Sequence, residues 1–228
     1  MESPEFGGDF RPERLDLVLA VITAIGLPLT AGYLYSETGA LLPLIVYYGV
    51  FCVGIVKWRK GTLDYRIPTE FWNLVFLFLL AVEVIRLFIA TEIYEPVQRY
   101  RFYGFLLTAL VWVPVNSLME QISWLYVFDS FANYFQDKPK KYLGWGLGVI
   151  LYVVLIGLIH ALFWGKFLFS SSDLYPLSQI YFVGQIGIAI GYIYLYRRTE
   201  SMLQVAIIHF IIDFSAVVLT RYSILPYL

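Results

Sequence analysis

Apolar runs, each long enough to form a membrane-crossing helix, take up most of this sequence of 228 residues. A transmembrane helix needs roughly 20 mainly apolar residues to span the hydrocarbon core of a bilayer. Seven such runs, separated by polar loops, lie at residues 17–35, 41–56, 71–90, 102–128, 149–169, 177–196 and 202–220. The pattern predicts an all-α fold, a polytopic transmembrane helical bundle of about seven membrane helices.

The composition excludes several other classes of protein. Hydrophobic residues make up 60% of the chain and charged residues 14%, whereas soluble domains carry about 25% charged residues. A net charge of −1 provides no basic surface, so we expect no nucleic-acid partner. The spans leave no room for a soluble domain, and we therefore predict one transmembrane domain over residues 1–228, with residues 1–16 as an exposed tail. Membrane lipid is the expected surrounding.

The distribution of Lys and Arg among the loops predicts the orientation in the membrane. Cytoplasmic loops are enriched in these residues. The N-terminal tail and the loops that lie on its side of the membrane carry eleven of them, and the loops on the other side carry four. We therefore expect an integral, multi-pass protein with a cytoplasmic N-terminus.

Ionisable side chains inside the apolar runs mark a candidate site. His209 and Asp213 are four residues apart and leave the same helical face, about 6 Å apart along the axis. Glu120 and His160 also lie in apolar surroundings. Charges inside a bilayer are costly and usually face a protein interior or a watery cavity. We expect these four residues to meet in one buried polar pocket.

The fourth run carries a polar stripe. Asn116, Glu120 and Ser123 follow at i, i+4 and i+7, so they lie on one face, which should point away from lipid. Pro114 should bend or break the helix just before Glu120. Helices usually bury such a stripe against a protein neighbour.

The depth of His160 depends on where the fifth helix begins. A start near residue 149 places His160 at a depth that permits convergence with Glu120, and a start near residue 142 does not. Because residues 142–148 are rich in glycine, we expect them to lie along the membrane interface rather than in the helix.

A glutamate and two histidines in one shielded pocket suit hydrolysis. The carboxylate can take a proton from water, while the histidines orient that water and stabilise the developing oxyanion. Peptide hydrolysis inside a membrane requires such a wet, enclosed site.

The order of these residues resembles the CPBP (Abi) family of glutamate-type intramembrane proteases, which includes the type II CAAX prenyl endopeptidases. The family motifs are EExxxR, FxxxH and HxxxN or HxxxD. Glu120 matches the first motif, His160 the second, and His209 with Asp213 the third, within a stretch of roughly residues 116–216.

The resemblance implies that Glu120 and His160 activate the water and that His209 and Asp213 form the oxyanion-binding side. It implies a membrane-embedded or lipidated peptide as substrate, with no cofactor and no metal. The sequence departs from the family pattern at three positions, where Gln121, Leu125 and Ile156 replace the family's Glu, Arg and Phe.

Other interpretations stay open at this point. Two His with Glu and Asp are enough ligands for a zinc-dependent membrane hydrolase. A non-catalytic scaffold or binding protein would keep the fold without the family's arginine, and a transporter would use Glu120 as a proton relay.

Glu83 and Arg86, at i and i+3, are expected to form a structural pair or to line a substrate channel. Trp and Tyr are expected at the membrane interfaces.

Overall fold

The computed structural model describes residues 10–96, 101–137, 139–164 and 177–225, and in this part of the chain the fold is all-α. Seven of the described helices are long and apolar enough to cross a membrane. They are α1 (Arg14–Thr38), α2 (Leu41–Lys60), α3 (Leu74–Ile93), α4 (Phe102–Tyr134), α5 (Lys141–Leu162), α6 (Leu177–Thr199) and α7 (Met202–Thr220). The predicted fold class and number of spans are confirmed, and the chain is a multi-pass integral membrane protein.

Pro114 was expected to bend or break the helix of the fourth span, and it does not break it. The helix α4 continues through this residue, and the turn before it, Thr108–Trp112, is wound as a π-helix. Proline removes one backbone donor, and a π-turn is a common way to absorb such a defect in a helix. Glu120 therefore lies on an uninterrupted helix.

Side-chain caps decide where two spans begin. Asn73 accepts a hydrogen bond from the backbone N–H of Phe76, and α3 starts at Leu74 rather than at the start of the apolar run. Ser201 accepts in the same way from the N–H of Leu203 at the start of α7. These caps satisfy N–H groups that have no partner inside the helix.

The fifth helix corrects the expectation for residues 142–148. These residues form the first turns of α5, which starts at Lys141. The glycines permit close packing: a Cβ atom on Gly144 would overlap with Phe135, and one on Gly148 would lie 2.8 Å from the carbonyl oxygen of Phe128. The predicted end of this run, residue 169, lies outside the described residues.

The chain divides into two compact units, each made from two separate stretches of sequence. The first unit comprises Met1–Asp64 and Met119–Lys166, and so contains α1, α2, the second part of α4, and α5. The second unit comprises Tyr65–Leu118 and Phe167–Leu228, with α3, the first part of α4, α6 and α7. The single domain predicted for residues 1–228 stays a prediction.

In the first unit, the end of the predicted exposed tail is buried. Asp16 has 0% relative exposure and lies in the first turn of α1. Its carboxylate pairs with Arg59, whose Nε and Nη2 each donate across 2.9 Å, and it accepts from the hydroxyl of Tyr126 across 2.8 Å. A carboxylate with this many donors can be buried, which the polar composition of the tail did not reveal. Residues 1–9 lie outside the described part.

In the second unit, α3 packs against α6 and α7, and α7 also packs against the π-helical turn of α4. The loop before α3 is tied to the α6–α7 turn. Ser201 donates its hydroxyl to the carbonyl oxygen of Arg66, and Arg66 Nε donates to that of Glu200 across 3.0 Å. These contacts hold the starts of α3 and α7 together.

Candidate functional site

Glu120 lies inside the first unit, where aromatic side chains hold its carboxylate. Its relative exposure is 1%. Oε1 accepts a hydrogen bond from the hydroxyl of Tyr47 on α2 across 2.9 Å and another from Nε1 of Trp164, just after α5, across 2.7 Å. The same Tyr47 hydroxyl accepts from Nε1 of Trp124 across 3.1 Å. Two other segments of the chain, α2 and the residues just after α5, therefore fix the position of one carboxylate oxygen.

Hydrogen bonds of this kind replace part of the hydration that a buried carboxylate loses. Hydrogen bonds to a charged group are stronger than hydrogen bonds between neutral groups, and they also fix the plane of the carboxylate. Ser123, one turn away on α4, is fully buried and donates its hydroxyl to the backbone carbonyl of Glu120 across 2.9 Å. The surroundings of Glu120 are therefore polar and ordered within an otherwise apolar span.

His160 is half-buried on α5 in the same unit. Its Nδ1 hydrogen-bonds to the carbonyl oxygen of Ile156 across 2.8 Å. A carbonyl can only accept, so Nδ1 carries the proton and Nε2 is an acceptor in the neutral ring. The imidazole ring lies 6.2 Å from the ring of Trp124, centroid to centroid. His160 thus joins the Glu120 cluster through Trp124, while Trp164, one turn further on, donates directly to Glu120. The expectation that a start of α5 near residue 142 would keep His160 away from Glu120 is wrong, because α4 also extends further than predicted, to Tyr134.

His209 and Asp213 lie together on α7 in the second unit, on one helical face as predicted. Nε2 of His209 is 3.5 Å from Oδ1 of Asp213. The other oxygen, Oδ2, accepts from Nδ2 of Asn116 across 2.8 Å and from the hydroxyl of Ser117 across 3.4 Å. A carboxylate next to one ring nitrogen orients an imidazole, and here the carboxylate is itself held by α4.

The polar stripe on α4 is buried, which confirms that it does not face lipid. Asn116, Glu120 and Ser123 all belong to the buried residues. Of the four predicted site residues, Glu120 and His160 belong to the first unit, and His209 and Asp213 to the second. The predicted meeting of all four in one pocket stays a prediction.

Glu83 and Arg86 form the expected i, i+3 ion pair on α3, and both are buried in the second unit. The guanidinium of Arg86 also lies over the ring of Tyr181 on α6, 4.2 Å from its centroid. His209 and Asp213 lie on α7, which packs against α3 in the same unit. The second unit therefore gathers four ionisable side chains from two helices.

Sequence reasoning missed the aromatic partners of Glu120. The sequence predicts Tyr and Trp at the interfaces, but Tyr47, Trp124 and Trp164 are buried and use their polar atoms inside the first unit. A spacing signal was present. Trp124 follows Glu120, and Trp164 follows His160, by four residues, which places an indole N–H one turn from each candidate.

Among the described residues, no three His, Cys, Asp or Glu side chains are grouped as a metal ion would require. The zinc alternative therefore has no assembled ligand set in this part of the chain. The fold and the buried groups define an all-α, multi-pass membrane protein with ordered ionisable side chains inside its spans. No family model, curated protein or solved structure matches the chain.

Proposed function

We propose that this protein hydrolyses peptide bonds within the membrane, as a glutamate-type endopeptidase similar to the CPBP (Abi) and CAAX proteases. The observation that carries the proposal is Glu120, a carboxylate with 1% exposure whose Oε1 accepts from Tyr47 and Trp164. A general base must be held in a fixed position, because it has to lie within hydrogen-bonding distance of the water whose proton it takes. The aromatic donors supply that rigidity.

The roles of the residues follow from their chemistry. Glu120 takes a proton from water as the water oxygen attacks the carbonyl carbon of the peptide bond, and it gives that proton to the amide nitrogen as the C–N bond breaks and the amine leaves. His160, whose Nε2 is an acceptor, helps to orient the water. His209 stabilises the oxyanion that forms, and Asp213 keeps its ring in place. Such preorganised donors are among the largest contributions to hydrolytic catalysis.

We also propose a membrane-embedded or lipidated peptide as the substrate and a cytoplasmic N-terminus. Support for the substrate comes from the positions of the ionisable groups, which lie on helices long and apolar enough to cross a membrane. Support for the orientation is the excess of Lys and Arg on the N-terminal side.

The test uses purified protein in liposomes with a pool of synthetic single-span peptides and C-terminally lipidated peptides, and mass spectrometry identifies new termini. Wild-type protein should cleave at least one peptide. His160→Ala and His209→Ala should reduce cleavage by about 10²–10⁴, as expected for acid–base residues. Asp213→Asn should have a mild effect, because asparagine is also a family form at this position. Chelator should leave the rate unchanged, and a loss that zinc restores would favour the metal-dependent alternative.

A non-catalytic binding protein is the second candidate. Gln121 and Leu125, which stand where the family has Glu and Arg, are both fully buried. Neither side chain can supply a charge to a reaction. Absence of cleavage of every peptide in the pool by wild-type protein would favour this second candidate.

A further inference from the structure

One edge of a buried guanidinium in the second unit has no hydrogen-bond partner in the described part of the chain. Arg86 has 2% relative exposure, and its Nη1 donates to Glu83. Among the described residues, nothing accepts from Nε or Nη2. Buried donors are almost always paired, because an unpaired one costs the full penalty of its lost hydration. Nε and Nη2 form one side of the guanidinium fork, so they present two parallel donors.

The helix α6, which packs against α3, carries a buried acceptor without a donor among the described residues. The Cδ atom of Arg86 would lie 3.0 Å from a Cβ atom on Gly184, so the side chain runs directly over this glycine. Oε1 of Gln185 is buried and has no donor among the described residues. Tyr181, Gly184 and Gln185 follow at i, i+3 and i+4, and therefore share one face of α6. Arg86 contacts two of these three residues.

Charge balance indicates what such a site accepts. Glu83 already pairs with Arg86, and Asp213 pairs with His209 on the neighbouring helix. A second anion on Arg86 would thus be uncompensated in a low-dielectric interior, which is costly. A neutral carbonyl oxygen needs only the two donors. An N–H group needs only the acceptor of Gln185.

We infer that Arg86 and Gln185 bind the backbone of an extended peptide, with Arg86 donating to a carbonyl oxygen and Gln185 accepting from an N–H. An extended peptide inside a membrane must find partners for both kinds of group, since lipid offers none. The inference rests on the proposed function for the identity of the ligand as a peptide. In this proposal the Glu83–Arg86 pair of the second unit takes part in substrate binding, in addition to His209 and Asp213.

Binding can be measured without turnover. The Glu120→Gln protein in nanodiscs is titrated with a labelled single-span peptide, amidated at its C-terminus, and with a series in which one backbone amide at a time is replaced by an ester. An ester has no N–H and is a weaker acceptor. We expect about tenfold weaker binding at one or two ester positions, since a hydrogen bond to a charged group is worth that much or more.

Two variants test the assignment. Arg86→Lys keeps the charge that balances Glu83 but loses the fork, and should weaken binding of the all-amide peptide about 10–100-fold while abolishing its preference over an ester analogue. Gln185→Met keeps the size of the side chain and removes the acceptor, and should abolish the preference at the neighbouring ester position. Gln179→Met, exposed on the same helix, is the matched control and should bind as the parent does.

The outcomes separate this inference from the proposed function. Equal binding by the parent, Arg86→Lys and Gln185→Met proteins, or no peptide binding at all, overturns the inference. The same peptide with a free C-terminal carboxylate is titrated for comparison, and a loss of binding by the variants that is confined to this peptide also overturns the inference, because that result assigns an anion site. Ester-sensitive binding without cleavage by wild-type protein supports the inference and contradicts the proposed function. Cleavage with unchanged KM in both variants contradicts the inference and leaves the proposed function standing.

Discussion

Trp164 donates its indole N–H to Oε1 of Glu120 across 2.7 Å, in the interior of the first unit. The two residues are separated by 44 positions in the sequence. Tyr47 donates to the same oxygen, so two aromatic side chains replace water at one side of the carboxylate. The arrangement links the stability of this unit to the position of its candidate base.

Replacing Trp164 by phenylalanine should destabilise the protein by about 1–3 kcal/mol, because a buried charged acceptor loses a donor. Unfolding in mixed detergent and SDS micelles measures the change. The same substitution at Trp58, which is 64% exposed, is the control and should cost well under 1 kcal/mol. Equal losses for the two variants would contradict the importance of the Trp164–Glu120 bond.

Asp16→Asn should cost roughly 3 kcal/mol in the same assay. The change leaves Arg59 without its buried counter-charge, and breaking such a pair is expensive. Asp137→Asn is the matched control, because Asp137 pairs with Arg11 on the surface with 83% of its side chain exposed. Surface pairs contribute about 0–1 kcal/mol. A larger loss from the control than from Asp16→Asn would refute the buried role of Asp16.

Periodicity and hydropathy were sufficient to predict the seven spans, because membrane thickness sets the length of each apolar run. The ends of the spans depend on particular contacts that hydropathy does not record. Asn73 delays the start of α3 by capping it, and Gly144 permits α5 to start early by letting Phe135 approach. Each effect is a packing or hydrogen-bonding event that depends on the particular side chains in contact.

The candidate site was predictable to the extent that it depends on spacing along one helix. The pairing of His209 with Asp213 and of Glu83 with Arg86 follows from i, i+4 and i, i+3 geometry. The donors to Glu120 come from other segments, and hydropathy does not record which partner the hydroxyl of Tyr47 finds. Contacts between distant segments require the tertiary structure.

Gly144→Ala should destabilise the first unit, because the added methyl group would overlap with Phe135 at the start of α5. We expect a loss of about 1–3 kcal/mol, as is usual for overpacking. A Cβ atom added at the nearby Gly146 would meet no other atom within 4 Å, so Gly146→Ala should be neutral or stabilising by up to about 1 kcal/mol. The reverse order of stabilities would contradict this packing.

Cysteine labelling in intact cells tests the orientation. Cys52 is buried and is the sole cysteine of the chain, so a Cys52→Ala background carries no other thiol. Thr69→Cys, in the loop before α3, should react with a membrane-impermeant maleimide only after the cells are permeabilised. Glu37→Cys, at the end of α1, should react without permeabilisation. The opposite pattern would place the N-terminus outside.

Cleavage by the Glu120→Gln protein is the most direct test of the proposed hydrolase. The amide keeps the size of the side chain and can still accept from Tyr47 and Trp164, but it cannot take a proton from water. In liposomes with a peptide that wild-type protein cleaves, we expect a rate lower by about 10²–10⁴ or more, with the unfolding free energy nearly unchanged. Glu37→Gln, an exposed glutamate at the end of α1, should cleave at the wild-type rate. A Glu120→Gln protein that cleaves as fast as wild type would contradict the role of Glu120 as the base.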